Sequence, residues 1–354
     1  MQRTKVLLLC GGESSEHEVS ISSARNVFAA IDDTKFDVIL SYIDTVGRWW
    51  LIDSIDGEII TQNAPQIVPV LGGKGFTTLP NSQTITPDVI FPVLHGKNGE
   101  DGSIQGLAQL MHIPVVGCDT TASAVCMDKV LTKQVLVANG IDVVPYEVYR
   151  RGEVLPDFSH LSMNLGVPLF VKPARSGSSV GVSRVYSEDE FIQSIKVALL
   201  HSDSVLIERG VTGRELEIAV LGNPPNHQVS CVGEVLLGDD FYTYEEKYAA
   251  SSGARTVIPA ESLDDAVVRR IQSIAAKAFR VLGGTGLSRV DFFLSDSGDI
   301  YLNEVNTMPG FTNISMYSKL WRPEGLSYAQ LVEDLISLAL EDNVTVPEPI
   351  VDAI

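Results

Sequence analysis

Apolar positions along this chain follow two periods, and the switches between them mark the elements. Residues 6–10, Val-Leu-Leu-Leu-Cys, form a continuous apolar run ending in Gly11-Gly12, and from Val19 onward the apolar spacing is that of a helix. Strand, loop and helix in this order open a parallel α/β layer, whose inner strands are apolar on both faces. Runs at 36–43 and 89–94 supply further strands, with a helix over 104–111 before Val115-Val116. These predict a doubly wound N-terminal sheet.

The pattern then changes. A helix over 129–139 is stopped by Gly140, extended runs lie at 168–173, 182–185 and 205–208, and 188–200 is an amphipathic helix, which together make a small α+β unit. Alternating runs at 215–221 and 229–236, and a hairpin formed by 289–293 and 302–306 about a Ser-Asp-Ser-Gly turn, predict an antiparallel sheet with helices at 264–282 and 328–340. Between them, 238–255 is long and polar, yet 241–248 (FYTYEEKY) mixes aromatics with charge. A loop of that length with aromatic anchors suits a lid that closes over a site and excludes water.

At 354 residues the chain exceeds a typical single core. Three domains are expected: 1–120, 121–210, and 211–354 with its lid loop at 238–256. A formal charge of −19 argues against nucleic acid and anionic membrane surfaces, which need clustered Lys and Arg. Any anionic substrate must therefore be held by local cations. The N-terminal apolar run is too short for a signal peptide and no run approaches membrane-spanning length, so a cytoplasmic protein is expected. Cys10, Cys118, Cys126 and Cys231 show no C-x-x-C spacing and read as buried, reduced thiols.

The hairpin sets Asp291, Glu304 and Asn306 on neighbouring strands. Three oxygen-bearing side chains so placed suit a hard cation shared with phosphate oxygens, although acids at strand margins can also be merely solvated. The loop at 175–181 (RSGSSVG) exposes backbone N–H groups that can wrap a phosphate, and Lys172 offers a point charge beside it; the alternative is a plain Gly-Ser hairpin. Residues 177–181 formally match the G-x-S-x-G nucleophile elbow, but that motif leads into a helix and here extended character resumes. There is no Walker-type phosphate loop, and the glycines at 283–286 fail the dinucleotide fingerprint. Two polar loops, 11–20 and 95–102, follow strands of the first sheet, where ligands of open α/β sheets collect; helix capping and a satisfied structural His95 are the bland alternatives.

Taken together, the segments resemble the D-alanine:D-alanine ligase family of the ATP-grasp superfamily. The resemblance covers nearly the whole chain and rests on GGESSEHEVS (11–20), HGKNGEDGSIQG (95–106), CMDK (126–129), VKPARSGSSVGV (171–182), YEEKY (244–248), SRVDFF (288–293) and NEVNTMPGFT (303–312). It implies an ATP-grasp architecture of three domains, mixing α/β and α+β, with ATP held between two mainly antiparallel sheets. It also implies two Mg²⁺ or Mn²⁺ ions on Asp291, Glu304 and Asn306, with Glu304 bridging. Lys129 and Lys172 would contact the phosphates under the 175–181 loop with its Ser179, Glu208 the adenine amino group, and Glu215 the ribose. Glu16 would hold the first substrate's ammonium with His95 nearby, and Glu16, Ser178 and Tyr248 would form a triad that ties down the closed loop. Arg289 and the Gly310 N–H would face the developing oxyanion, while Lys247 and Ser315 would take the second substrate's carboxylate.

The implied reaction joins two D-alanines through an acylphosphate, serving peptidoglycan precursor synthesis, and a homodimer is the family expectation. Lys247-Tyr248 resembles the dipeptide-forming members rather than lactate-forming relatives, and Met316 stands where resistance ligases typically place arginine. D-Serine as second substrate is the alternative, because an apolar pocket rejects an added hydroxyl only weakly.

Overall fold

The computed structural model describes residues 3–236 and 255–341. Its first sheet is built from β1 (Thr4–Gly11), β2 (Phe36–Ile43), β3 (Trp49–Ile52), β4 (Gln66–Val70), β5 (Gly75–Leu79), β6 (Thr84–Ile85) and β7 (Val89–Pro92), with α1 (His17–Ala30) after β1 and α2 (Ser103–Leu110) after β7. Strand order is β6-β5-β4-β3-β2-β1-β7. β1 pairs in parallel with β2 and β7, as its unbroken apolar run requires: Val6, Leu8 and Cys10 enter one core while Leu7 and Leu9 enter another. The sheet is mixed, however, because β3 to β6 extend it antiparallel. Those short, half-exposed strands lack a clean apolar alternation and went unpredicted. Val115 forms only an isolated parallel bridge to Ile90.

The chain continues through α3 (Thr120–Met127), α4 (Lys129–Ala138), β8 (Tyr146–Arg150), α5 (Phe158–Leu165), β9 (Leu169–Pro173), β10 (Ser183–Val185), α6 (Glu188–Ala198) and β11 (Ser204–Arg209). The second sheet, β10-β9-β11-β8, is wholly antiparallel. Ser187 and Glu190 close α6 with a reciprocal capping box, and Asp128 caps α4 by accepting from the Val130 and Leu131 N–H groups. The 175–181 loop joins two antiparallel strands, with no helix after it, so the nucleophile-elbow geometry is excluded.

A third sheet, β14-β13-β12-β15-β16, is formed by β12 (Gly213–Leu221), β13 (Gln228–Leu236), β14 (Arg255–Val257), β15 (Leu287–Ser295) and β16 (Ile300–Asn306). All its pairings are antiparallel. α7 (Asp265–Val281) lays Ile271, Ala275 and Phe279 on one face of it, against Leu216, Ile218, Val290 and Phe292. α3 and α4 share that core through Ala122, Cys126 and Leu136. After β16 the chain returns to the first sheet. Phe311, α8 (Met316–Trp321) and α9 (Tyr328–Glu341) pack with Val6, Leu8, Val27 and Phe91 in one core.

The four cysteines are free; burial pushes the Cys10 and Cys118 thiols up to about 12 and Cys231 up to about 11, which keeps them protonated and inert. Among the described residues no helix is long and apolar enough to cross a membrane. Phe292→Ala, at a position 1 % exposed, should cost about 3–5 kcal/mol by cavity formation. Urea unfolding of the purified protein measures this, and a loss under about 1 kcal/mol would place Phe292 outside the core.

Candidate active site

The charged face of the third sheet is set by its register. Arg289 stands opposite Asn306, Asp291 opposite Glu304 on one side and Glu217 on the other. Side chains alternate faces along a strand, so Arg289 and Asp291 share the face away from the core that holds Val290 and Phe292. On β16 strict alternation would not allow both Leu302 and Val305 to reach that core. A bulge resolves the conflict: the register steps from Asp291–Glu304 to Phe292–Leu302, leaving Asn303 as the extra residue. Glu304 and Asn306 are thereby both held on the charged face.

Arg289 makes two parallel bonds to Asp291, Nε to Oδ1 and Nη2 to Oδ2, each at 2.7 Å, and its Nε lies 3.1 Å from Glu217 Oε2. Burial opposes its charge, but Asp291 and Glu217 outweigh that and hold the guanidinium well above its ordinary range. Asn306 Nδ2 donates to Asp291 Oδ2 at 3.1 Å. Lys129, the first residue of α4, reaches Glu304 Oε2 at 3.5 Å and donates to the Ser176 carbonyl at 2.8 Å. The donors are two carboxylates and an amide oxygen, all hard, and fit a hard cation that takes its remaining ligands from phosphate. Among the described residues no group of three or more His, Cys, Asp or Glu side chains gathers at metal-binding spacing.

On the second sheet, Glu208 is 1 % exposed and lies between two lysines: Lys172 Nζ is 2.5 Å from Oε2 and Lys133 Nζ 2.7 Å from Oε1. Burial alone would raise its carboxyl, yet the two ammonium groups together hold it below the usual carboxylate range. The 175–181 loop leaves this sheet and crosses to the first domain. Ser178 and Ser179 both adopt left-handed φ, 48° and 61°. This turn aims Ser178 Oγ at Glu16 Oε1, to which it donates at 2.5 Å. Arg175 Nε anchors the loop's other end on the α4 cap, Asp128 Oδ2, at 2.8 Å.

Glu16 lies at the start of α1, and next to it is a buried polar group. His95 Nδ1 is 3.5 Å from Glu100 Oε1 and 3.3 Å from the Met308 carbonyl, and Nε2 is 3.1 Å from Ser23 Oγ. Burial opposes the charge of His95, but Glu100, Glu16 and the Met308 carbonyl raise its pKa overall. Burial and the neighbouring Glu16 likewise push Glu100 up, against the pull of His95. The 306–316 segment completes the arrangement. The Phe311 N–H donates to Ser23 Oγ at 3.4 Å, and Ser315 Oγ accepts from the Thr312 N–H at 3.0 Å. A Cβ added at Gly310 would stand 3.4 Å from Ser315 Oγ. Met316 is buried, with its Cε 3.1 Å from where a side chain at Gly233 would begin.

Four contacts therefore join parts of the chain that are separated in sequence: Lys129 to Glu304, Ser178 to Glu16, His95 to Met308, and Lys172 to Glu208. Ser179 lies on the same loop, and Glu215 sits two positions before Glu217 on β12 and so shares its face. Lys247, Tyr248 and nearly all of the 238–256 lid lie outside the described residues. Sequence reading did not single out Glu217, Glu100 or Lys133. The signals were present: Glu217 is i+2 from Glu215 on a strand, Lys133 is i+4 from Lys129 on a helix, and Glu100 lies within the His95 loop.

Comparison with known proteins finds relatives over nearly the whole chain. Residues 5–118 match the family model described as D-ala D-ala ligase N-terminus, and residues 135–337 match D-ala D-ala ligase C-terminus. D-alanine–D-alanine ligase A of Salmonella typhimurium is 43% identical over 357 residues, covering 96% of this chain and 97% of that protein. Its Escherichia coli K12 counterpart is 42% identical over 354 residues, covering 96% and 97%. Among solved structures, the D-alanine-D-alanine ligase from Coxiella burnetii superposes with a TM-score of 0.86 at 35% identity, covering 97% of this chain and 96% of that one. VanG D-Ala:D-Ser ligase from Enterococcus faecalis also gives 0.86, at 38% identity, covering 96% and 100%. Three sheets, with Lys129 bridging Glu304 of the third and the Ser176 carbonyl in the loop from the second, are arranged as in an ATP-grasp enzyme. Within that class, the chain belongs to the D-alanine–D-alanine ligase family.

Ser178→Ala should release the 175–181 loop from the first domain. Amide exchange across 176–181 is expected to quicken while global stability falls by only about 0.5–1.5 kcal/mol. Unchanged exchange would mean that the Ser178–Glu16 bond does not hold the loop.

Proposed function

We propose that this protein joins two D-alanine molecules at the expense of ATP, forming D-alanyl-D-alanine, ADP and phosphate for peptidoglycan precursors. The observation that carries the reading is the single charged centre linking Arg289, Asp291, Glu304 and Lys129 beneath the loop that Ser178 ties to Glu16. A carboxylate oxygen of the first D-alanine attacks the γ-phosphorus, ADP leaves, and an acylphosphate results. The amine of the second D-alanine then attacks the acyl carbon; phosphate leaves and the nitrogen gives up a proton. The protein supplies position and charge compensation.

In this reading the ammonium of the first substrate is held by Glu16, with the buried His95–Glu100 pair behind it. Lys129, Lys172 and the loop residue Ser179 hold phosphate oxygens, while Glu208 accepts from the adenine amino group and Glu215 from the ribose. Asp291, Glu304 and Asn306 would hold Mg²⁺ or Mn²⁺, which would neutralise charge on the phosphates when bound. Arg289 then turns from Asp291 toward the reacting carbonyl, and the Gly310 N–H joins it there. Lys247 and Ser315 take the second carboxylate, Met316 lies beside the second methyl group, and Tyr248 completes the triad with Glu16 and Ser178. We propose the chain division 1–120, 121–210 and 211–354, and a homodimer.

The likeness to a D-Ala:D-Ser ligase keeps D-serine as a second reading. What favours D-alanine is Met316, a buried apolar side chain that offers no partner to a hydroxyl. Phosphate release from ATP with D-alanine, D-serine or D-lactate as the added nucleophile, and product identification by mass, separates these. The dipeptide from D-alanine alone is expected, and its absence would sink the reading. Arg289→Ala should lower kcat by about 10²–10³ while nucleotide binding stays near wild type; full activity would remove Arg289 from the reaction.

A further inference from the structure

Glu208 has two lysine partners, although the proposed function uses only one of them. Lys172 is 13% exposed, carries its ammonium 6.0 Å from the Phe170 ring, and lies on the strand that leads into the 175–181 loop. It can turn to a phosphate. Lys133 cannot: its side chain is 1% exposed, on the inner face of α4, with Nζ 5.7 Å from the Tyr146 ring and 2.7 Å from Glu208 Oε1. A lysine this deeply buried belongs to whatever charge lies next to it. Its neighbour i−4, Lys129, is engaged elsewhere, with Glu304 and the Ser176 carbonyl.

The chemistry of the acceptor gives Lys133 its task. An ionised carboxylate only accepts hydrogen bonds, whereas a protonated one also donates. A 6-amino purine presents a donor at C6 and a 6-oxo purine presents an acceptor, so the charge state of Glu208 decides which base it welcomes. When Lys172 leaves for the phosphates, one cation must stay. We infer that Lys133 is the positioning residue that keeps Glu208 an acceptor-only carboxylate in the nucleotide complex, and so makes the pocket select adenine over 6-oxo purines. The inference rests on the proposed role of Glu208 at the base.

Three ionisable groups face this carboxylate: Lys133 from α4, Lys172 from β9 and Tyr146 from β8, the last held protonated by burial and by Glu208 itself. Among the described residues, Lys133 is thus the one cation there that the proposed nucleotide binding does not call away. Burial pulls the Lys133 ammonium below its ordinary range, and Glu208 acts against that pull.

The test uses full-length protein with initial rates at saturating D-alanine, ATP or inosine triphosphate as the nucleotide, and Lys133→Met beside Lys133→Arg. Lys133→Met should raise KM for ATP by at least about tenfold, leave KM for D-alanine unchanged, and reduce the preference for ATP over inosine triphosphate by a similar factor. The defect should deepen as pH falls, because Glu208 without Lys133 takes up a proton more readily, and Lys133→Arg should restore both preference and pH profile. If the methionine variant does not fold, Lys133→Gln, which keeps a polar head in the buried site, replaces it. Equal losses with both nucleotides, or an unchanged preference, would overturn the inference and assign Lys133 to structure alone. A wild-type protein that makes no dipeptide would instead remove the proposed function.

Discussion

Everything at the reaction centre depends on one constraint: the third sheet must carry an apolar face and a charged face at the same time. Its strands alternate, so each core residue commits its neighbours to the opposite side. Val290 and Phe292 belong to the core under α7, which leaves Arg289 and Asp291 on the opposite face. On β16 the alternation alone would misplace a residue, and the Asn303 bulge restores both faces. A sheet without that extra residue would either bury Glu304 or expose Leu302.

Charge is the second theme. The chain carries −19 overall and is proposed to act on triphosphate and carboxylates, and Lys129, Lys133, Lys172 and Arg289 are each held by an anion. Lys129 rests on Glu304, Lys172 and Lys133 on Glu208, and Arg289 on Asp291 and Glu217. Such pairs avoid isolated charge in part-buried surroundings. In the proposed mechanism they also preset the positions from which cations turn to phosphate. The Ser178–Glu16 bond ties the 175–181 loop to the start of α1, beside the first sheet.

Much of this was legible in the sequence for local reasons. The helices at 129–138, 188–198 and 265–281 have clear stops, caps or apolar stripes, and in the third sheet 215–218 and 289–292 alternate polar with apolar residues. The antiparallel extension β3 to β6 was not legible, because short strands with mixed exposure carry little period. Helix α3 and strand β8 were missed for a related reason: α3 has a weakly amphipathic sequence and β8 has no buried residue. Among site residues, motif stretches pointed to His95, Lys172 and Asp291, whereas Lys133 and Glu217 lay in ordinary-looking elements.

By itself, the sequence determined the order of the strongly patterned elements, the oxygen-bearing side chains at Asp291, Glu304 and Asn306, and the family to which they point, because periodicity and short motifs are local properties. Tertiary structure alone decided which charges meet. Lys133 and Glu208 are far apart in the chain, as are Ser178 and Glu16, or His95 and Met308, and each pair lies within bonding distance only after separate sheets have packed. Hydrogen bonding and close ion pairing need contact within a few ångströms, so partnership between distant residues is written in the packing and not in the spacing of the letters.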